Sequence, residues 1–117
     1  MRLSEQQQIF TQNVAKLINW IFNQGYGCTL GEVYRTKEQA EIYAKQKIGS
    51  VDSLHCQRLA IDINIFSGND YLKMSPFYAE AGKYWKSLHP QNRWGGDFRD
   101  DNGNLIHDDN HFEMKPI

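Results

Sequence analysis

The sequence has few of the devices that staple small proteins together. Among 117 residues there are two cysteines, Cys28 and Cys56, which cannot build a disulfide framework and belong to no CxxC pair. Both read as reduced, partly buried thiols. No stretch approaches the roughly 20 apolar residues of a membrane span, and the start, MRLSEQQQIF, lacks the apolar run of a signal peptide. The expectation is synthesis in the cytoplasm without stable membrane association. Basic charge is not in excess either: 13 Lys+Arg stand against 14 Asp+Glu, for a net charge of -1 and a pI of about 6.4. A nucleic-acid partner is therefore not expected, because binding to phosphate backbones rests on a basic field.

What the chain does have is 40% hydrophobic and 23% charged residues, the composition of one ordinary globular domain spanning residues 1–117. A domain of this size buries roughly two thirds of its unfolded surface, so a core can form without structural metal. Any metal is then free to be catalytic. The acids are unevenly spread, since Asp97, Asp100, Asp101, Asp108, Asp109 and Glu113 fall in one segment whose only Lys or Arg is Arg99.

Apolar residues at Ile9, Phe10, Val14, Leu17, Ile18, Ile21 and Phe22 predict a helix over residues 4–24. Ser4 with Gln7 suggests a capping box, and Gly25 and Gly27 supply the stop. A strand is expected from Cys28 to Arg35, then a short helix starting at Thr36 and Gln39 and running to about Lys47. After a polar loop from Gly49 to Cys56, alternation is strict from Ala60 to Phe66: Ile61, Ile63 and Ile65 point one way, Asp62 and Asn64 the other. Ser75 and Pro76 open a third helix carrying Phe77, Ala81, Tyr84, Trp85 and Leu88, which His89-Pro90 ends. A turn around Asn102-Gly103 and a last strand from about Asn110 to Met114 complete an α+β pattern: a small antiparallel sheet with about three flanking helices.

Four residues carry chemistry. His55, at a loop exit, is followed seven positions later by Asp62 on the polar face of a strand, and Asp108 precedes His111 by three. Two imidazoles and a carboxylate (His55, His111, Asp62) are the ligand set of an open catalytic zinc site, one Zn²⁺ per chain, with Asp108 as base. Zinc lowers the pKa of water towards about 7 and polarises a scissile carbonyl, while the base moves the proton.

Joined with Arg35-Thr36 before Gln39-Ala40, the Ser53-x-His55 pair and Trp94-Gly95-Gly96, this pattern resembles a family of zinc peptidases. That family includes VanY-type D,D-carboxypeptidases, D-Ala-D-Ala dipeptidases and the L-alanyl-D-glutamate endopeptidases of bacteriophage lysis. The likeness runs from Gly31 to Glu113 and implies a hedgehog/DD-peptidase-like fold. It implies that His55, Asp62 and His111 hold zinc, that Asp108 is the catalytic base, and that Arg35 binds a substrate carbonyl or carboxylate. Where many relatives have glycine, this chain has Arg58. An Asp base in place of Glu points to the endopeptidase branch, hence to hydrolysis of the peptidoglycan stem peptide at L-Ala–D-Glu. Because such a catalytic domain would use nearly all of the 117 residues, a monomer without a separate cell-wall-binding domain is expected; the resemblance further implies release to the wall by a phage holin or by lysis from elsewhere. A D,D-carboxypeptidase or dipeptidase, and a non-catalytic zinc-containing module, are the alternatives.

Other candidates stay open. Trp94 either lines the substrate groove or plugs the core, and Ser53 either binds substrate or caps the turn before His55. Asp109 competes with Asp108 but would share a strand face with residue 111. His107 and His111 are four apart, yet the intervening residues lack the Glu of HExxH. The acidic turn from Asp100 to Asn104 reads as a hairpin rather than a calcium loop, because Leu105 and His111 replace the glycine and the glutamate that such a loop requires.

Overall fold

The computed structural model describes residues 1–46 and 53–117. Helix α1 (Leu3–Asn23) buries Gln6, Phe10, Asn13, Leu17 and Ile21, one stripe at helical spacing. It starts one residue earlier than expected, and the Ser4–Gln7 capping box does not form. Arg2 occupies the N-cap without a side-chain bond, which puts Ser4 inside the first turn, and the Gln7 amide donates instead to the Gln57 carbonyl at 2.8 Å. Gly25, with φ of +89°, ends the helix in the left-handed region that glycine enters without steric cost.

Five strands form one antiparallel sheet: β1 (Gly27–Leu30), β2 (Ala60–Ser67), β3 (Asp70–Tyr71), β4 (Asn92–Trp94) and β5 (His111–Met114). Their order is β1-β2-β5-β4. The long β2 takes β1 along one edge, while β5 and β3 lie against its start and its end on the other. The expected alternation holds, with Ile61, Ile63 and Ile65 buried. Strand β1 is shorter than the predicted Cys28–Arg35. Beyond Leu30 the chain still exchanges bonds with Asp62, through Gly31 N–H at 2.7 Å and the Glu32 carbonyl at 2.9 Å. Arg35 then donates its N–H to the His55 carbonyl at 3.2 Å, which draws the backbone off the sheet. β3 and β4 were not expected, and β5 begins at His111 rather than Asn110.

Thr36 caps α2 (Lys37–Lys45) by accepting from Gln39 N–H at 3.0 Å, and Ser75 caps α3 (Pro76–Leu88) by accepting from Phe77 N–H at 3.2 Å. The predicted end of α2 at Lys47 and the first part of the polar loop lie outside the described residues. The rest of that loop is a 3₁₀ turn, Leu54–Gln57. Among the described residues the fold is thus α+β, with three helices and a small antiparallel sheet. No helix among the described residues is long and apolar enough to cross a membrane.

The core joins α1 and α3 to the sheet. Trp20 stacks on Phe77 and Tyr84, at centroid distances of 5.4 and 4.9 Å, tying the two helices together. Fully buried Trp85 meets Phe10 and Phe112 edge-on, and its indole N–H is shared between the carbonyls of Arg93 and Glu113 at 3.0 Å each. One side chain therefore fills the core and clamps β4 to β5. Trp85→Ala should cost about 3–5 kcal/mol, as full truncation of a buried aromatic does, and urea unfolding should show a lowered midpoint.

Candidate metal centre

Local structure fixes His55 before any ligand is considered. Ser53 Oγ accepts from His55 N–H at 3.3 Å, capping the 3₁₀ turn, and the His55 carbonyl receives the N–H groups of Arg35 and Arg58. Arg58 closes the turn in the left-handed region, φ +54°, with its guanidinium 4.0 Å from the Tyr34 ring centroid. Asp62 stands on β2 directly opposite His111, the first residue of β5.

These elements bring three of the predicted ligands together. His55 Nε2 and His111 Nδ1 are 3.2 Å apart, and each is 3.3 Å from Asp62 Oδ1. Ligands at zinc's usual distance of about 2.0–2.1 Å sit roughly 3.3–3.4 Å from one another at the corners of a tetrahedron. The triangle therefore has the dimensions of one tetrahedral face, and its donor set fits zinc. Both histidines are buried, whereas the Asp62 side chain keeps 24% of its surface exposed, so the group is open on its carboxylate side.

The outward-facing ring nitrogens also meet carboxylates. His111 Nε2 is 2.7 Å from Glu113 Oε1, and Glu113 pairs through its other oxygen with Arg93. His55 Nδ1 lies 3.6 Å from Glu32 Oε1, which is held at 2.6 Å by Arg35. Neither glutamate was singled out from the sequence. Glu113 could have been found, since residues i and i+2 of a strand share a face; Glu32 lies in an irregular segment with no periodic signal.

Charges in the group act on one another. Burial opposes ionisation of Asp62, but hydrogen bonds and charge from His111 and His55 outweigh it and bring the carboxyl down to about 2. Burial likewise opposes charging of His111, yet Asp62, Glu113 and Asp108 push it up to about 9. Glu113 is lowered despite burial, by His111 and Arg93. For Asp108 the balance is reversed: burial pushes its carboxyl up by more than the two histidines draw it down.

Asp108 Oδ2 is 3.8 Å from His111 Nδ1, beside the triangle. Its loop is positioned by Trp94-Gly95-Gly96. The Trp94 indole donates to the Asp109 carbonyl at 2.7 Å, and the ring packs in the core against Gly82 and Gly96. A Cβ on Gly95 would lie 2.2 Å from the Asp108 carbonyl oxygen and 2.8 Å from His111 Cβ. Asp109 precedes β5 and so shares no strand face with His111. His107 is exposed and outside the group, with φ of +63°. Asp100 Oδ1 accepts from the N–H groups of Asn102 and Asn104, and Gly103 has φ of +82°, as a hairpin turn requires. Arg35 lies one ionic contact from His55. Cys28 and Cys56 are free and half-buried.

No family model matches the chain, and no curated protein matches it by sequence. Among solved structures, the crystal structure of the Serratia marcescens L-Ala D-Glu endopeptidase ChiX is similar. Its TM-score is 0.69 at 14% identity, over 97% of this chain and 86% of that one. The likeness is one of fold. The His-Asp-His group adds to that fold three side chains arranged so that they could hold a metal ion.

Two outcomes follow from this geometry. Gly95→Ala should lose most metal affinity, measured by chelator competition, because the added methyl displaces the backbone of Asp108 and His111. In chelator-stripped protein, His111 is raised from 6.5 to about 9, so its contribution to stability is complete below about pH 6.5 and lost as pH rises through about 9. Asp62 is lowered from 3.8 to about 2, so its contribution is complete above about pH 3.8 and lost as pH falls through about 2. Urea midpoints should therefore plateau between those limits and decline towards pH 9.

Proposed function

We propose that this chain is a zinc-dependent peptidoglycan peptidase of the endolysin type, cutting the stem peptide at the L-Ala–D-Glu bond. The observation that carries this reading is the His55–Asp62–His111 triangle with Asp108 at its edge. The fold likeness to an L-Ala D-Glu endopeptidase supports it. Membership of the VanY and L-alanyl-D-glutamate peptidase family is part of the same proposal.

Zinc held by His55, Asp62 and His111 supplies Lewis acidity, polarising a carbonyl and acidifying water. The chain's own residues do the rest. Asp108 takes a proton from the attacking water and delivers it to the leaving amine; a carboxylate whose affinity for protons is raised by burial suits that task. Arg35, held by Glu32 through one Nη and with Nε buried, offers its other Nη to a substrate carbonyl or carboxylate oxygen. Ser53 acts through His55 by fixing its turn. Trp94 acts through the loop that carries Asp108.

Mass spectrometry of purified murein before and after digestion tests the reaction. New D-glutamyl amino groups are expected. Free D-Ala as the sole product would replace the endopeptidase by a D,D-carboxypeptidase or dipeptidase, and one bound zinc with no cleavage would make the chain a non-catalytic module. Asp108→Asn should stay folded and zinc-loaded while losing about 10²–10⁴-fold in rate, the usual share of general base catalysis.

A further inference from the structure

Glu113 is a buried carboxylate that the proposed reaction does not use. It keeps 6% of its surface exposed and sits beside a strand residue, Arg93, that faces it across the β4–β5 register. One oxygen is 2.7 Å from His111 Nε2, and the other is bound by the Arg93 guanidinium. Burying an ionised carboxylate is costly unless it is paired and hydrogen-bonded. Here both oxygens are engaged, one by a cation and one by an imidazole whose other nitrogen belongs to the triangle.

We propose that Glu113, anchored by Arg93, is a positioning residue that holds the proton of His111 on Nε2 and so presents Nδ1 to a metal ion. The inference rests on the metal-binding reading above. A ligand histidine binds through an unprotonated nitrogen, so the partner of its other nitrogen decides which atom is free. A carboxylate can only accept a hydrogen bond, and thus selects the tautomer with the proton facing it. Arg93 keeps the carboxylate from rotating away. It also offsets the carboxylate's charge and leaves the N–H bond to be made by the second oxygen. Phe98, 5.6 Å from the His111 ring centroid, packs against the imidazole and limits its swing.

The test measures zinc affinity by competition with a chromophoric chelator, independent of any peptidase assay. Glu113→Ala should bind zinc about 10–100-fold more weakly, the usual cost of removing such a partner. Glu113→Gln, whose amide oxygen still accepts from the ring, should recover much of that loss, whereas Glu113→Met, which fills the same space without such an acceptor, should not; equal recovery by Glu113→Met would overturn the positioning role. In zinc-loaded wild type, long-range ¹H–¹⁵N spectra should show a His111 proton on Nε2 that is protected from solvent exchange. Wild-type affinity in Glu113→Ala overturns the proposal, as does a His111 Nε2 without a proton. The spectrum decides even where Glu113→Ala does not fold. Failure of wild type to bind any metal would instead overturn the metal centre itself.

Discussion

The register of β2 against β5 is the constraint on which the site depends. Asp62 faces His111 because Ile61 faces Phe112 and Ala60 faces Glu113, and the period of two along each strand leaves no independent choice. Phe112 and Met114 are buried on one side of β5, which places His111 and Glu113 together on the other. A slip of one residue would send Phe112 to the polar face and His111 into the apolar core. The hydrophobic pattern thus aligns the ligands, although none of the ligands is hydrophobic. The ladder is continued on either side, by Ile63 N–H to the Asn110 carbonyl at 2.8 Å and by Met114 N–H to the Leu59 carbonyl at 2.9 Å.

Features whose physics is local were legible in the sequence. The alternation of β2 and the caps at Thr36 and Ser75 depend on residues a few positions apart and stand as expected; α1 and α3 form on their apolar spacing, although Phe22 is exposed, Gln6 and Asn13 share the buried stripe of α1, and the Ser4–Gln7 box does not form. His55, Asp62, Asp108 and His111 could be chosen because their spacing in sequence already suggested convergence. Features that depend on distant partners were not legible. The two residues of β3 and three of β4 are too short to show a period, and each exists as a strand because β2 or β5 lies beside it. Tyr78 gave no signal of its role, yet its hydroxyl accepts from Ile65 N–H at 2.9 Å and donates to the Leu72 carbonyl at 2.7 Å, joining α3 to the sheet. Glu32 and Arg93 belong to the site only through contacts that the fold creates.

Arg58 holds a backbone conformation that ordinarily favours glycine. A non-glycine residue in the left-handed region is strained by about 1–2 kcal/mol. The guanidinium over Tyr34 returns about 0.5–1 kcal/mol, the range for an exposed cation–π contact. The remainder is borne by the turn itself, where the Arg58 and Arg35 amides both bond to the His55 carbonyl. A similar fold at 14% identity is consistent with this economy, since burial patterns and turn geometry can persist while side chains change.

The surplus of acid between Asp97 and Glu113 divides along physical lines. Asp97 pairs with Lys86 at 2.6 Å and Asp100 organises its own turn, so neither bears on the centre. Asp108 and Glu113 do. Among the described residues, four carboxylates, from Glu32, Asp62, Asp108 and Glu113, form or flank the triangle, with two guanidinium groups, from Arg35 and Arg93, each already paired with a glutamate. With neutral histidines this leaves two negative charges, those of Asp62 and Asp108, and a dication between the ring nitrogens would balance them. In the stripped protein a proton on His111 meets part of the same demand, which is the physical reason that its affinity for protons is raised. Metal and proton therefore answer the same negative charge, that of Asp62 and Asp108, and the proton on His111 is held by Glu113 as well.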